Sequence, residues 1–125
     1  MIVQTISIQQ NIKITFLEQI RMWDLCTNKC LDTIQVNMNV ESLCLLPSNQ
    51  LSIGSDDGTI AIWNMENMTK VRSFRGHEDA ILCFKSVGPA RLFSSSYDKL
   101  IKAWDIESRE CLFILSKIST FSYSL

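Results

Sequence analysis

One phrase is spoken three times in this chain: Ile20-Arg21-Met22-Trp23-Asp24-Leu25, Ile60-Ala61-Ile62-Trp63-Asn64-Met65, and Leu100-Ile101-Lys102-Ala103-Trp104-Asp105-Ile106. The three tryptophans lie 40 and 41 residues apart. Self-similarity at such a period means one supersecondary unit used repeatedly, each copy burying its apolar face against a neighbour. The match extends beyond the indole. Asp57 and Asp98 stand six residues before Trp63 and Trp104, and Ser55 and Ser96 stand eight before. Apolar residues follow each Trp at plus eight and plus eleven: Leu31 and Ile34, Val71 and Phe74, Leu112 and Leu115.

The unit is β-structured. Residues 59–63 (Thr-Ile-Ala-Ile-Trp) are β-branched and aromatic and follow Asp56-Asp57-Gly58, a turn signal. Residues 71–74 and 91–96 are equally short and strand-like, and no 3.6-residue period appears. With Gly76-His77 ahead of the third copy, the pattern resembles the WD40 repeat family: a Gly-His, a strand pair, an Asp turn and a closing Trp-Asp. The resemblance implies an all-β chain of about three four-stranded antiparallel propeller blades forming an incomplete ring, since rings typically close with about 4–8 blades. The expected boundaries are a worn first blade over 1–34, a second over 35–74, a third and best preserved over 75–115, and a tail over 116–125 expected to be poorly ordered.

The resemblance also assigns roles. His77, Ser96, Asp98 and Trp104 are expected to form a buried hydrogen-bonded chain, because an indole N–H needs an acceptor and a buried carboxylate needs donors. Ser55, Asp57 and Trp63 are its reduced version, lacking the His. Stability should therefore decline from the third copy to the first. Trp104→Ala should be the most damaging Trp truncation, at roughly 3–5 kcal/mol. Similar propellers contact peptides at the residue before the structural Asp and at positions three and five after the His. Those positions are Asp56 and Tyr97, then Ala80 and Leu82, with Glu41 and Leu43 aligning to the last two in the second copy. Tyr97 is the favoured contact.

Composition bounds the function. Net charge is −1 with dispersed charges, so neither a nucleic-acid footprint nor a polybasic membrane patch is present. No apolar run approaches the ~20 residues that span a bilayer, and the N-terminus does not read as a secretory signal. An intracellular site, cytoplasmic or nuclear, follows. Five cysteines make an odd set. Cys26 and Cys30 lack further ligands for zinc, while Cys44 and Cys83 read as small core residues. No metal and no cofactor is expected.

A Ser, a His and an Asp invite comparison with a nucleophilic triad, but residues recurring within a repeat around a Trp read as structural. The expected function is a non-catalytic scaffold for protein or peptide ligands, belonging to a larger propeller. The alternatives are the substrate-recognition part of a ubiquitin ligase complex and, from a different class, a propeller hydrolase. Self-association through exposed blade faces is the further expectation for three copies alone.

Overall fold

The computed structural model describes residues 4–9, 12–16, 19–47 and 49–115, with side chains described from residue 19 onward. The tail over 116–125 lies outside the described residues. All regular structure among the described residues is strand. Two compact units divide the chain, Met1–Val40 and Glu41–Leu125.

The first unit is one antiparallel meander, β1 (Gln4–Gln9), β2 (Ile12–Phe16), β3 (Gln19–Asp24) and β4 (Lys29–Gln35), paired in chain order. The second unit holds two such sheets. One is β5 (Val40–Leu46), β6 (Gln50–Ser55), β7 (Thr59–Asn64) and β8 (Thr69–Arg75). The other is β9 (Ile81–Val87), β10 (Arg91–Ser96), β11 (Ile101–Asp105) and β12 (Cys111–Leu115).

The repeat is reproduced at the level of register. Trp23, Trp63 and Trp104 sit on the third strand of their sheets, opposite Lys13, Leu51 and Leu92. On the other side of each Trp the fourth strand carries one extra residue. Trp23 pairs with Cys30 after Met22 pairs with Asp32, Trp63 with Lys70 after Ile62 with Arg72, and Trp104 with Cys111 after Ala103 with Phe113. The skipped residues are Leu31, Val71 and Leu112, so the plus-eight apolar positions are β-bulges. All three are exposed, at 51%, 39% and 41%.

The residue after each Trp has a local task. Asp24, Asn64 and Asp105 each accept, through a side-chain oxygen, the N–H two residues on. This Asx turn bends the chain into the last hairpin, and Asn64 performs it as an acid would. Four residues after each of these acceptors, Asn28, Met68 and Arg109 all take positive φ, at 56°, 57° and 63°.

In the second unit the two sheets share one core of Leu46, Ile60, Ile62, Ile81, Phe84, Leu92, Trp104 and Ile106. Phe74 of β8 packs on Trp104 with ring centroids 5.1 Å apart. Arg72 crosses the seam to donate to the Ile106 carbonyl (2.8 Å) and to that of Glu107. Ser42 on β5 donates to the Ile81 carbonyl on β9 at 3.0 Å. Gly54 leaves no room for a side chain: a Cβ there would stand 2.5 Å from Ser42 Oγ, 2.8 Å from Phe84 Cε2 and 2.9 Å from Ile81 Cβ. Cys44 and Cys83 are half-buried, and Cys44 packs against this core. Burial pushes the Cys44 thiol above its ordinary value.

Candidate interaction face

A directional chain of donors underlies one end of the second unit. Trp104 Nε1–H donates to Ser94 Oγ at 2.8 Å. Ser94 Oγ and His77 Nε2 are 2.6 Å apart, and His77 Nδ1 and Asp98 Oδ2 are 2.8 Å apart. With a neutral imidazole protonated at Nδ1, every hydrogen has one acceptor: indole to hydroxyl, hydroxyl to ring nitrogen, ring N–H to carboxylate. Asp98 also accepts the N–H groups of Glu78 (3.2 Å) and Leu100 (2.9 Å).

Burial lowers the His77 pKa more than Asp98 raises it, and nearby Lys102 lowers it further. For Asp98, burial alone would raise the carboxyl. The hydrogen bonds from His77, Leu100 and Glu78 together carry it below its ordinary value.

The hydroxyl in this chain is Ser94, not the expected Ser96. Ser94 is a diagonal neighbour of Trp104, because Leu92 pairs with Trp104 and Ser94 with Lys102 on the same sheet face. Ser96 lies two residues further, ~7 Å along the strand and beyond the indole. Its Oγ donates to the Asp79 carbonyl (3.0 Å) and accepts the Asp98 N–H (3.1 Å), which ties the turn rather than the core.

The second copy is split in two. Ser55 Oγ donates to Asp57 Oδ1, and Thr59 N–H donates to both Ser55 Oγ (3.1 Å) and Asp57 Oδ1 (2.9 Å). The Ser55 hydroxyl, with Thr59, holds the Asp57 pKa below its usual value. Trp63 does not join them. By register its counterpart of Ser94 is Ile53, which is fully buried. Among the described residues, Trp63 Nε1 is the buried side-chain nitrogen or oxygen left without a hydrogen-bond partner. The count of 27 residues from His77 to Trp104 puts Val36 at the His position of this copy.

Above this network the loops are tied to one another. Gly58, at φ 92°, gives its carbonyl to the N–H groups of Gly76 (2.9 Å) and His77 (3.1 Å). Tyr97 N–H donates to the Ala80 carbonyl at 3.0 Å. The β6–β7 turn, the 76–80 loop and the β10–β11 turn therefore form one surface. On it Asp56 is exposed and Tyr97 half-exposed; Leu82 on β9 and Glu41 on β5 are half-exposed as well. Ala80 and Leu43 are buried, at 7% and 9%, and offer a partner little area. Leu82 is itself a bulge: Cys83 pairs with Ser95 and Ile81 with Ser96, so Leu82 is the skipped residue. The expected set did not include Glu78, Asp79 and Lys99, which are exposed on the same loops. Their signal in the sequence is only their nearness to His77 and Asp98.

The family described as "WD domain, G-beta repeat" matches residues 28–64 and 68–105. The chain belongs to the WD-repeat family. Two relatives among the curated proteins agree. The U3 snoRNP-associated protein-like EMB2271 of Arabidopsis thaliana is 28% identical over 104 residues, covering 82% of this chain and 22% of that protein. The CCR4-associated factor 4 homolog of Candida glabrata is 24% identical over 111 residues, covering 75% of this chain and 18% of that protein. The chain thus spans about a fifth of the length of these relatives.

The WD-repeat matches do not coincide with the sheets. The first runs through β4 and on through β5, β6 and β7; the second runs through β8, then β9, β10 and β11. Each repeat gives the outer strand of one sheet and the inner three of the next. No helix among the described residues is long and apolar enough to cross a membrane. Among them, no group of three or more His, Cys, Asp or Glu is placed to hold a metal ion.

Proposed function

We propose that this WD-repeat chain is a non-catalytic, intracellular scaffold that binds a protein or peptide on the surface made by the 56–58, 78–80 and 97–99 loops. The observation that carries this reading is the combination of fixed backbone and solvent-exposed side chains there. Gly58, Gly76, His77, Ala80 and Tyr97 are locked by backbone hydrogen bonds, while Asp56, Glu78, Asp79 and Lys99 are exposed and Tyr97 and Leu82 half-exposed. Loops held on a rigid scaffold order little on binding, so contacts made there keep most of their energy. Tyr97 is the anchor, a half-exposed aromatic among polar neighbours. Asp56, Glu78 and Asp79 suit a ligand with basic groups.

Chemistry by the buried network is disfavoured by position. Ser94, His77 and Asp98 have the distances of a nucleophilic triad, but Ser94 is fully buried and its oxygen already accepts the Trp104 indole. A nucleophile must be reachable by substrate. Two of the relatives carry names that denote association, one with U3 snoRNP and one with CCR4, which accords with a scaffold inside the cell.

Probing peptide arrays with the labelled chain tests the reading. Tyr97→Ala should weaken captured peptides by at least ~30-fold, the hot-spot threshold, with an unchanged urea midpoint. Binding that is indifferent to Tyr97, Leu82 and Asp56 substitutions alike would move the ligand surface elsewhere.

A further inference from the structure

The 76–80 loop is held almost atom by atom. Gly58 accepts the N–H groups of Gly76 and His77, Asp98 accepts that of Glu78, and Arg75 Nε donates to the His77 carbonyl at 3.3 Å. Ser96 Oγ donates to the Asp79 carbonyl, and Tyr97 N–H to that of Ala80. The Gly76 carbonyl is taken by Lys102, whose Nζ donates to it at 2.7 Å. Lys102 stands on β11 opposite Ser94, on the same sheet face as Trp104 two residues on. Its ammonium lies 5.7 Å from the centre of the Trp104 ring, within reach of a cation–π attraction.

The group that Lys102 holds needs a donor. Gly76 is buried, and a buried carbonyl left without a partner carries its full desolvation cost. The loop has no room to sink and find another. A Cβ on Gly76 would stand 2.6 Å from Ile60 Cδ1 and 2.9 Å from Trp104 Cζ2, so the backbone already rests on the core. Without the ammonium, the carbonyl reaches water only if the loop moves outward. The charge has a second effect. Burial is the main cause of the lowered His77 pKa; Asp98 opposes it and Lys102 adds to it. The charged groups around this histidine are Asp98 of the β10–β11 turn, Lys102 of β11 and Arg75 at the end of β8. Arg75 is itself 3.7 Å from Glu78 and acts on Asp57 of the β6–β7 turn. The second copy lacks these parts together: Ala61 stands where Lys102 does, and Val36 where His77 does.

We propose that Lys102 is a positioning residue of the ligand surface, holding the Gly76 carbonyl from β11 so that the 76–80 loop presents Glu78 and Asp79 in one place. It acts through the loop and touches no ligand itself. Its charge also helps keep the imidazole neutral, the form whose Nε2 accepts the Ser94 hydroxyl. The proposal rests on the reading of these loops as the ligand surface for its meaning, though not for its geometry.

The test is made on the full chain with Lys102→Met, which keeps the stem over Trp104 and removes the charge, and Lys102→Arg, which keeps the charge. Lys102 is half-exposed, so both should retain the strand circular dichroism of the parent; Lys102→Gln repeats the measurements should the methionine variant lose its strands. His77 is the single histidine, and its ring protons can be titrated by NMR without overlap. Lys102→Met should move the His77 midpoint upward and Lys102→Arg should leave it in place. Amide exchange at His77 and Glu78 should quicken about 10-fold in Lys102→Met relative to the amides of β6 and β7, the equilibrium equivalent of one charge-assisted hydrogen bond. Peptides captured by the parent should bind Lys102→Met about 10-fold more weakly. An unmoved His77 midpoint would overturn the proposal. So would exchange that quickens equally in the loop and in β6 and β7, which would make Lys102 a general support of the fold. Titration and exchange are read on the free chain, so they decide the role of Lys102 even where peptide arrays capture nothing, an outcome that counts against the ligand surface itself.

Discussion

Exchanging Trp104 and Trp63 separately for Phe measures what a satisfied indole N–H is worth in this fold. Both changes keep an aromatic ring on the third strand of a sheet in the same compact unit. Each gives up about 40 Å² of apolar area, or about 1 kcal/mol at ~25 cal/mol per Å². At Trp104 the change also deletes the 2.8 Å bond to Ser94, worth about 1 kcal/mol net, for a total near 2 kcal/mol. At Trp63 the N–H is buried with no acceptor, a standing cost of about 1–3 kcal/mol that Phe removes. Trp63→Phe should therefore lie between neutral and about 2 kcal/mol stabilising. The two variants should differ by about 2–4 kcal/mol. Urea unfolding of the full chain, followed by circular dichroism, reads the difference as midpoint shifts at constant slope. A double-mutant cycle of Trp104→Phe with Ser94→Ala should give a coupling of about 1 kcal/mol. Equal costs at the two tryptophans, within about 0.5 kcal/mol, or no coupling at Ser94, would refute the argument from unpaired donors.

Ser94→Ala should cost about 1–3 kcal/mol by stranding Trp104 Nε1 and His77 Nε2, and more than Ser96→Ala in the same urea titration. His77 has its pKa lowered in the folded state, so its share of stability is present above about pH 6.5. That share is lost as pH falls from there toward the folded value; titrating urea midpoints against pH should show the decline, and His77→Gln should flatten it. Asp98, also lowered, adds a second loss below about pH 3.8 as its carboxylate protonates. Gly54→Ala forces a methyl into space held by Ser42, Phe84 and Ile81 and should lower stability by about 1–3 kcal/mol, read from the thermal midpoint.

The sheets were legible because their signals are local and repeated. The Trp spacing, the Asp-Gly turn and the β-branched run at 59–63 each constrain a few neighbouring residues, and three antiparallel sheets followed. The network was legible only in part. Residues 94–96 are three serines in a row. Choosing among them depends on the diagonal from Trp104 across β10, a pairing fact that spacing from the Trp alone does not contain. The bulges were invisible for the same reason: Leu31, Val71 and Leu112 repeat at plus eight, but spacing does not say that each is the extra residue of its outer strand. Ala80 and Leu43 were placed by alignment with a pattern, which fixes position along the chain but not burial. The orphaned Trp63 could have been anticipated, since Ile53 stands where a hydroxyl is needed, but only once Ser94 was known to be the hydroxyl.

The offset between repeat and sheet has a consequence for how such a chain gains and loses length. A segment cut at the repeat boundaries carries the last strand for the sheet before it and three strands for the sheet after. Removing residues 28–67 would leave β1, β2 and β3 followed directly by β8, a hybrid sheet with four strands and a bulge in its usual place. Removal along sheet boundaries would instead leave two foreign faces to meet. Heredity working in units of about 40 residues can thus add or drop a repeat while every sheet stays complete, with the burden of fit falling on side chains such as Phe74 that must greet a new neighbour.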